Sequence, residues 1–137
     1  MGSSNGKINK HYNVVDLFCG VGGLTLGFEQ TKRFKTVFAN DIDEDMCRAY
    51  GFNFPKTPIS SDSVADIDFK KIANKQKIDL VIGGPPCQAY STSGKRTQND
   101  PRVNLYKEYF RAIKSLNPNI FVYENVKGLF SFNNGKL

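Results

Sequence analysis

Val14-Val15-Asp16-Leu17-Phe18-Cys19-Gly20-Val21-Gly22-Gly23-Leu24 joins an apolar, β-branched run to a glycine-rich turn and then to a helical pattern. Val14 to Phe18 reads as a strand covered on both faces, because it is nearly continuous in apolar character. Leu24 to Gln30 follows as a helix. Thr36 to Ala39, Asp79 to Ile82 and Ile120 to Tyr123 repeat the strand pattern. Helices are expected between them, at Glu44 to Tyr50, at Phe69 to Ala73 and at Asn104 to Leu116. In the last of these, Leu105, Tyr109, Ala112, Ile113 and Leu116 form one apolar stripe. This alternation predicts an α/β fold with a doubly wound, mostly parallel sheet. Such sheets bind ligands beyond the carboxyl ends of their strands, so chemistry-bearing residues are expected just after each strand.

The 137 residues suffice for one domain, and the 39% hydrophobic and 12% aromatic content suits a packed core. Residues 1–12 read as a polar tail. Met1-Gly2-Ser3-Ser4-Asn5-Gly6 has no apolar stretch after it, so no signal peptide is expected, and no apolar run reaches the ~20 residues of a membrane span. Cys19, Cys47 and Cys87 are an odd set without C-x-x-C spacing. That argues against a disulfide framework or a zinc knuckle and for a reducing, cytoplasmic setting. With His11 as its one histidine, the chain has little material for a metal site or a Cys–His hydrolase. The net charge of +6 permits a polyanionic partner without demanding one.

The glycine turn lets backbone approach a ligand, and the helix after it offers free N–H groups. Thr25 stands where the dinucleotide fingerprint has its last glycine, and no P-loop lysine follows, so a tight structural turn is the plain alternative. Asp41 lies 18 residues after Gly23, at the end of the second strand. An acid about 20 residues beyond such glycines accepts hydrogen bonds from ribose hydroxyls. Asp43 suits a helix cap, and Ile42 can pack on an adenine face. Asp66 suits either an adenine amino group or a helix cap. Pro85-Pro86-Cys87-Gln88 follows an apolar run and two glycines, which mounts a thiol on a stiff turn. Two prolines in a row also mark ordinary turns. Glu124 ends the last apolar run and is expected in the same crevice, with a satisfied glutamate at a helix or turn as the plain alternative.

Together these residues resemble the amino-terminal part of the C5-cytosine DNA methyltransferases. Asp16-Leu17-Phe18-x-Gly20-x-Gly22-Gly23 looks like that family's first motif. Asp41, Asp66, Pro85-Pro86-Cys87-Gln88 and Glu124-Asn125-Val126 follow in the family's order. Ser91-x-Ser93-Gly94-Lys95-Arg96 resembles its active-site loop. Leu105 matches a cofactor-contacting leucine, although its place in the helix stripe also explains it as core. The resemblance implies a Rossmann-like methyltransferase domain over residues 13–137, incomplete at its carboxyl end, using S-adenosylmethionine and no metal. It implies cofactor contacts from Asp16, Phe18, Gly20, Gly22, Gly23, Leu24, Asp41, Ile42, Asp66, Pro86 and Leu105. Substrate contacts would come from Gln88, Ser91, Ser93, Lys95, Arg96 and Asn125. Cys87 would attack C6 of a flipped-out cytosine as a thiolate, and Glu124 in its acid form would bond N3. An unperturbed thiol has a pKa of about 8.5, so only a small fraction is ionised at neutral pH.

Asp41 stands where the family more often has Glu, and Tyr90 where it often has Phe. The family's later motifs, including its target-recognition region, are missing. That implies an enzyme of restriction–modification type acting on double-stranded DNA and completed by a second polypeptide or a longer chain. The alternatives are a tRNA cytosine methyltransferase and a non-catalytic module that keeps the fold.

Overall fold

Val14, Val15, Asp16 and Leu17 have no exposed surface, which is possible only for a strand covered on both faces and flanked on both sides. They belong to β1 (Tyr12–Leu17), the middle strand of the sheet. The computed structural model describes residues 11–86 and 104–125. After β1 come α1 (Gly23–Glu29), β2 (Phe34–Asn40), α2 (Glu44–Asn53), β3 (Ile59–Ser60), a 3-10 turn (Val64–Asp66) and α3 (Phe69–Ala73). β4 (Leu80–Gly83), α4 (Leu105–Leu116) and β5 (Ile120–Tyr123) follow.

Every strand pairing among the described residues is parallel, and the spatial order is β3-β2-β1-β4-β5. The chain therefore moves outward from β1 to β3, then returns past β1 to lay down β4. The reversal puts a crevice at the carboxyl ends of β1 and β4, the switch point where such sheets take ligands. The doubly wound fold expected from the alternation of elements is the one observed.

The faces of β1 bury different partners. Val15 and Leu17 pack with Phe69 of α3 and Tyr109 and Leu116 of α4. Val14 packs with Leu80 and Ile82 against Leu24 and Phe28 of α1. Tyr109 also pins two strands together, because its hydroxyl donates to the Val122 carbonyl at 2.7 Å and the Val81 carbonyl at 3.3 Å.

Element limits differ from the sequence reading for local reasons. β1 stops at Leu17 because Phe18 turns to a left-handed φ of 57°. β2 is longer than expected, since pairing with β1 runs from Phe34 to Asn40, with Val37 as an extra residue at a register shift. α2 continues through Gly51 to Asn53, closed by the Phe54 N–H donating to the Tyr50 carbonyl at 2.8 Å and by packing of those two rings. β3 has only two residues, too few to show a period. α3 is capped by Asp68, which accepts from Lys71 N–H at 3.1 Å; Asp66 lies in the preceding 3-10 turn. Among the described residues no helix is long and apolar enough to cross a membrane.

Candidate active site

A cavity of about 410 Å³ opens at the carboxyl edge of the sheet. Phe18 comes to it from the end of β1, Asp41 and Ile42 from the end of β2, Val64 from the turn after β3, Pro86 from the end of β4 and Leu105 from the start of α4. Residues from five separate segments meet because each lies just past a strand or opens the last helix. Phe18 reaches the cavity in a left-handed conformation, which costs a non-glycine residue roughly 1–2 kcal/mol. Such strain persists where surrounding structure dictates it, and often marks a functional site.

Asp41 fixes the glycine loop. Its Oδ2 accepts from the Gly20 N–H at 2.8 Å and its Oδ1 from the Asp43 N–H at 3.0 Å. A carboxylate has about four lone-pair sites, so capacity remains for a ligand's hydroxyls. Ile42 beside it is 68% exposed at the cavity wall, where its side chain is free to meet a ligand. Asp43 caps α2 by accepting from Asp45 N–H at 2.8 Å and Met46 N–H at 3.2 Å, as the sequence predicts.

Gly22 opens α1 at a φ of 96°, and a side chain there would run into the Phe54 ring and stand 3.0 Å from the ring of Tyr50. Glycine is thus required both by conformation and by space.

Beneath this loop lies a buried polar network. The Thr25 hydroxyl donates to Asp16 Oδ2 at 2.7 Å, and Tyr50 Oη lies 2.9 Å from Thr25 Oγ1. With the Thr25 proton given to Asp16, the Tyr50 hydroxyl is the donor in that second bond. Asp16 Oδ1 is fully buried without a hydrogen-bond partner among the described residues. Burial, helped by the nearby Asp41 charge, raises the Asp16 pKa from 3.8 to about 7, against the pull of Thr25.

The far wall of the cavity is braced by Arg111 of α4. Its guanidinium donates to the carbonyls of Val64 at 2.8 Å, Ile67 at 3.2 Å and Ala65 at 3.3 Å. It also lies 4.8 Å from the Phe69 ring centre, and its Nε pairs with Glu108 at 2.6 Å. Only a planar, multi-donor cation ties three carbonyls in this way. Sequence reasoning missed Arg111, Thr25 and Tyr50. Arg111 shows only as a polar residue in an amphipathic helix, and its partners lie 44 to 47 residues earlier.

Opposite stands Glu124, exposed, just past β5. Its N–H donates to the Gly83 carbonyl at 2.9 Å, which sets the residue beside the Gly84-Pro85-Pro86 turn. Asn125 next to it donates from Nδ2 to Tyr123 Oη at 2.8 Å.

Of the sequence-derived candidates, Phe18, Asp41, Ile42, Pro86 and Leu105 line the cavity. Gly20 is tied to it through Asp41. Asp16 lies buried below, Leu24 packs into the core, Gly23 begins α1, and Asp66 is exposed in the 3-10 turn outside the lining. Cys87, Gln88, Ser91, Ser93, Lys95 and Arg96 lie outside the described residues. Cys19 and Cys47 are held as neutral thiols. Burial pushes the Cys19 thiol far up, reinforced by Asp16 and Asp41, and burial also raises Cys47, whose Sγ lies 3.1 Å from the Asp41 carbonyl oxygen.

An open parallel sheet with an acid-flanked cavity at its switch point defines a doubly wound α/β protein with its ligand crevice in the position typical of such sheets. The sequence carries the identification further. Residues 12–137 match the model of the C-5 cytosine-specific DNA methylase family, and the chain belongs to that family. It is 49% identical over 120 residues to the type II methyltransferase M.XorII of Xanthomonas oryzae, an alignment covering 84% of this chain and 28% of the relative. It is 39% identical over 129 residues to M.AquIA of Picosynechococcus, covering 90% of this chain and 52% of the relative. Among solved structures, an inferred DNA modification methyltransferase encoded within an Escherichia coli prophage superposes with a TM-score of 0.77 at 34% identity, over 90% of this chain and 35% of that one. A DNMT2 variant of Spodoptera frugiperda superposes with a TM-score of 0.69 at 26% identity, over 90% of this chain and 38% of the other. The chain thus spans between about a quarter and a half of the length of these relatives.

Proposed function

We propose that this chain forms the cofactor-binding and catalytic half of an enzyme that methylates C5 of cytosine in double-stranded DNA. The observation that carries the reading is the convergence of Phe18, Asp41, Ile42, Pro86 and Leu105 on one cavity, with Glu124 beside the turn that leads into Cys87.

The cavity suits S-adenosylmethionine by shape and donor set. Apolar walls from Phe18, Ile42, Val64 and Leu105 suit a flat purine, and Asp41 offers acceptors to ribose hydroxyls. Bound there, the cofactor supplies an electrophilic methyl group. The remaining chemistry falls to this chain's side chains. Cys87, as a thiolate, adds to C6 of a cytosine turned out of the helix, because a stacked base cannot be reached. Glu124 holds a proton at N3 while the ring accepts charge, and C5 gains carbanion character. Once C5 carries its new substituent, loss of the C5 proton to solvent and cleavage of the C6–S bond by β-elimination release Cys87 as a thiolate. Gln88, Ser91, Ser93 and Asn125 serve the base and the space it leaves, and Lys95 and Arg96 serve phosphates. Cys19 and Cys47 do not compete for the nucleophile's role, since both are held as thiols.

A second polypeptide, or a further part of the same one, completes the enzyme. An apolar groove of about 470 Å³ at the amino edge of the sheet, walled by Tyr12, Phe28, Phe34, Leu80, Ile120 and Val122, supports this. Ile120 there is 64% exposed on the outermost strand, and an apolar sheet face of this kind asks for cover. In the completed enzyme, DNA carrying 5-fluorocytosine should trap a covalent adduct that survives denaturation. Cys87→Ser should abolish it, and an undiminished adduct would move the nucleophile elsewhere.

A further inference from the structure

Gly83 and Gly84 follow one another at the end of β4, and a methyl group on each would meet quite different neighbours. On Gly83 it would strike the Leu17 carbonyl oxygen of β1 and stand 2.9 Å from the Tyr109 ring, both held in the core. On Gly84 it would strike the Glu124 carboxyl oxygen Oε2, with the rest of Glu124 no nearer than 3.5 Å. Oε2 is the far end of a long side chain on an exposed residue, so it can move aside. Gly84 is also not among the residues with positive φ, so alanine suits its backbone.

We propose that Gly84 is a positioning residue: its missing side chain is the space in which the Glu124 carboxyl group docks against the proline turn. The main chain brings Glu124 to this place through the 2.9 Å bond from its N–H to the Gly83 carbonyl. That bond fixes the start of the side chain and leaves its torsions free. Contact with the bare Cα of Gly84 is what sets the carboxyl group beside the turn leading to Cys87. The glycine pair thus divides two tasks, with Gly83 serving the fold and Gly84 the acid. The inference rests on the reading of Glu124 as the group that holds a proton on the base.

The test compares Gly84→Ala, Glu124→Gln, Glu124→Asp and the double variant Gly84→Ala/Glu124→Asp in the complete enzyme. Single-turnover methylation of cytosine DNA, cofactor binding by calorimetry and thermal stability are measured on each. Gly84→Ala should lower the single-turnover rate about 100-fold, the order expected for a misplaced catalytic group. Its stability should match the parent, and because Gly84 also lines the cavity, its cofactor affinity should fall by far less than its rate. Glu124→Asp shortens the acid and withdraws it from Gly84, so adding Gly84→Ala to it should change the rate little, a strongly non-additive cycle. A parental rate in Gly84→Ala, or an equal loss in both backgrounds, would overturn the proposal. Loss of the fold would overturn it too, since the methyl would then be meeting more than a movable carboxyl. A fully active Glu124→Gln would instead remove Glu124 from the chemistry and defeat the reading beneath the proposal.

Discussion

Asp41 and Glu124 are both carboxylates just beyond a parallel strand, on opposite sides of one crevice, yet they are held in contrasting ways. Asp41 has each oxygen on a backbone N–H, at 2.8 and 3.0 Å, and the loop it grips is itself fixed by glycines and by Thr25 below. Glu124 is anchored by its main chain, and its carboxyl group lies against Gly84. The Asp41 side, the cofactor wall of the proposed function, is therefore held by hydrogen bonds among the described residues. The Glu124 side, the base wall of the proposed function, sets its carboxyl group against Gly84 and leaves Glu124 exposed. A cofactor pocket gains from rigidity because its ligand is constant. A group that meets a flipped base needs access first and alignment second.

This contrast predicts different kinetic signatures for the two acids. Glu124→Gln keeps the size of the side chain and removes its acid. It should lower kcat by about 10³-fold, within the range for losing a positioned proton donor, with cofactor affinity unchanged. Asp41→Ala removes the grip on Gly20 and the acceptors for a ribose. It should weaken cofactor binding by about 30-fold, the order of one hydrogen bond to a charged group, and leave kcat at saturating cofactor close to the parent. Equilibrium binding and steady-state kinetics on the same preparations check both. If Asp41→Ala lowers kcat with unchanged affinity, the division between the walls is wrong.

The bracing of the cofactor wall makes a third prediction. Arg111→Ala leaves the carbonyls of Val64, Ala65 and Ile67 without their shared donor and uncovers the Phe69 ring. The side chain of Arg111 is 39% exposed, so water recovers part of the loss, and a destabilisation of about 2 kcal/mol is expected in urea unfolding. Arg111→Lys keeps the charge without the fork and should recover only part of it. Full stability in Arg111→Ala would mean the wall stands without its brace.

How much of this could be read from the chain alone follows the same division. The order of strands and helices was legible because buried parallel strands are apolar runs, and because α4 carries one apolar stripe. Asp41 and Ile42 were legible because the crevice rule puts function just after strands, whereas Phe18, expected inside the first strand, came only from the family resemblance. The buried Thr25–Tyr50 link and the reach of Arg111 were not, because each joins residues distant in sequence through side-chain geometry that leaves no local pattern. The two-residue β3 was missed for lack of length. Gly84 was visible only as part of a turn, since what a glycine makes room for is set by the fold around it.

The smallest effect concerns the foundation of the cofactor wall. Asp16 is fully buried, and its carboxyl group is shifted from 3.8 to about 7, chiefly by loss of solvent. The charged or titratable groups facing it are Asp41, Cys19 and Tyr50, together with Tyr109 from α4; burial pushes the Cys19 thiol and both tyrosine hydroxyls far up and so keeps them neutral. Below pH ~4 the acid is protonated folded and unfolded alike, so it adds no pH dependence there. Between ~4 and ~7 the unfolded chain has released the proton that the folded one keeps, so stability falls as pH rises, and above ~7 the loss is complete. Asp16→Asn keeps an oxygen acceptor for the Thr25 hydroxyl and carries no titrating proton. Between pH 6 and pH 7, the stability of Asp16→Asn relative to the parent should therefore rise by about 1 kcal/mol, most of the 1.4 kcal/mol that a fully retained proton gives per unit. Urea unfolding of both proteins at the two pH values reads this difference directly, because titrations elsewhere cancel between them. A difference that stays constant with pH would mean that Asp16 is already ionised in the folded protein. The base of the cofactor wall would then be a buried charge steadied by Thr25, and the rigidity ascribed to that wall would rest on electrostatics instead of on a neutral hydrogen-bonded network.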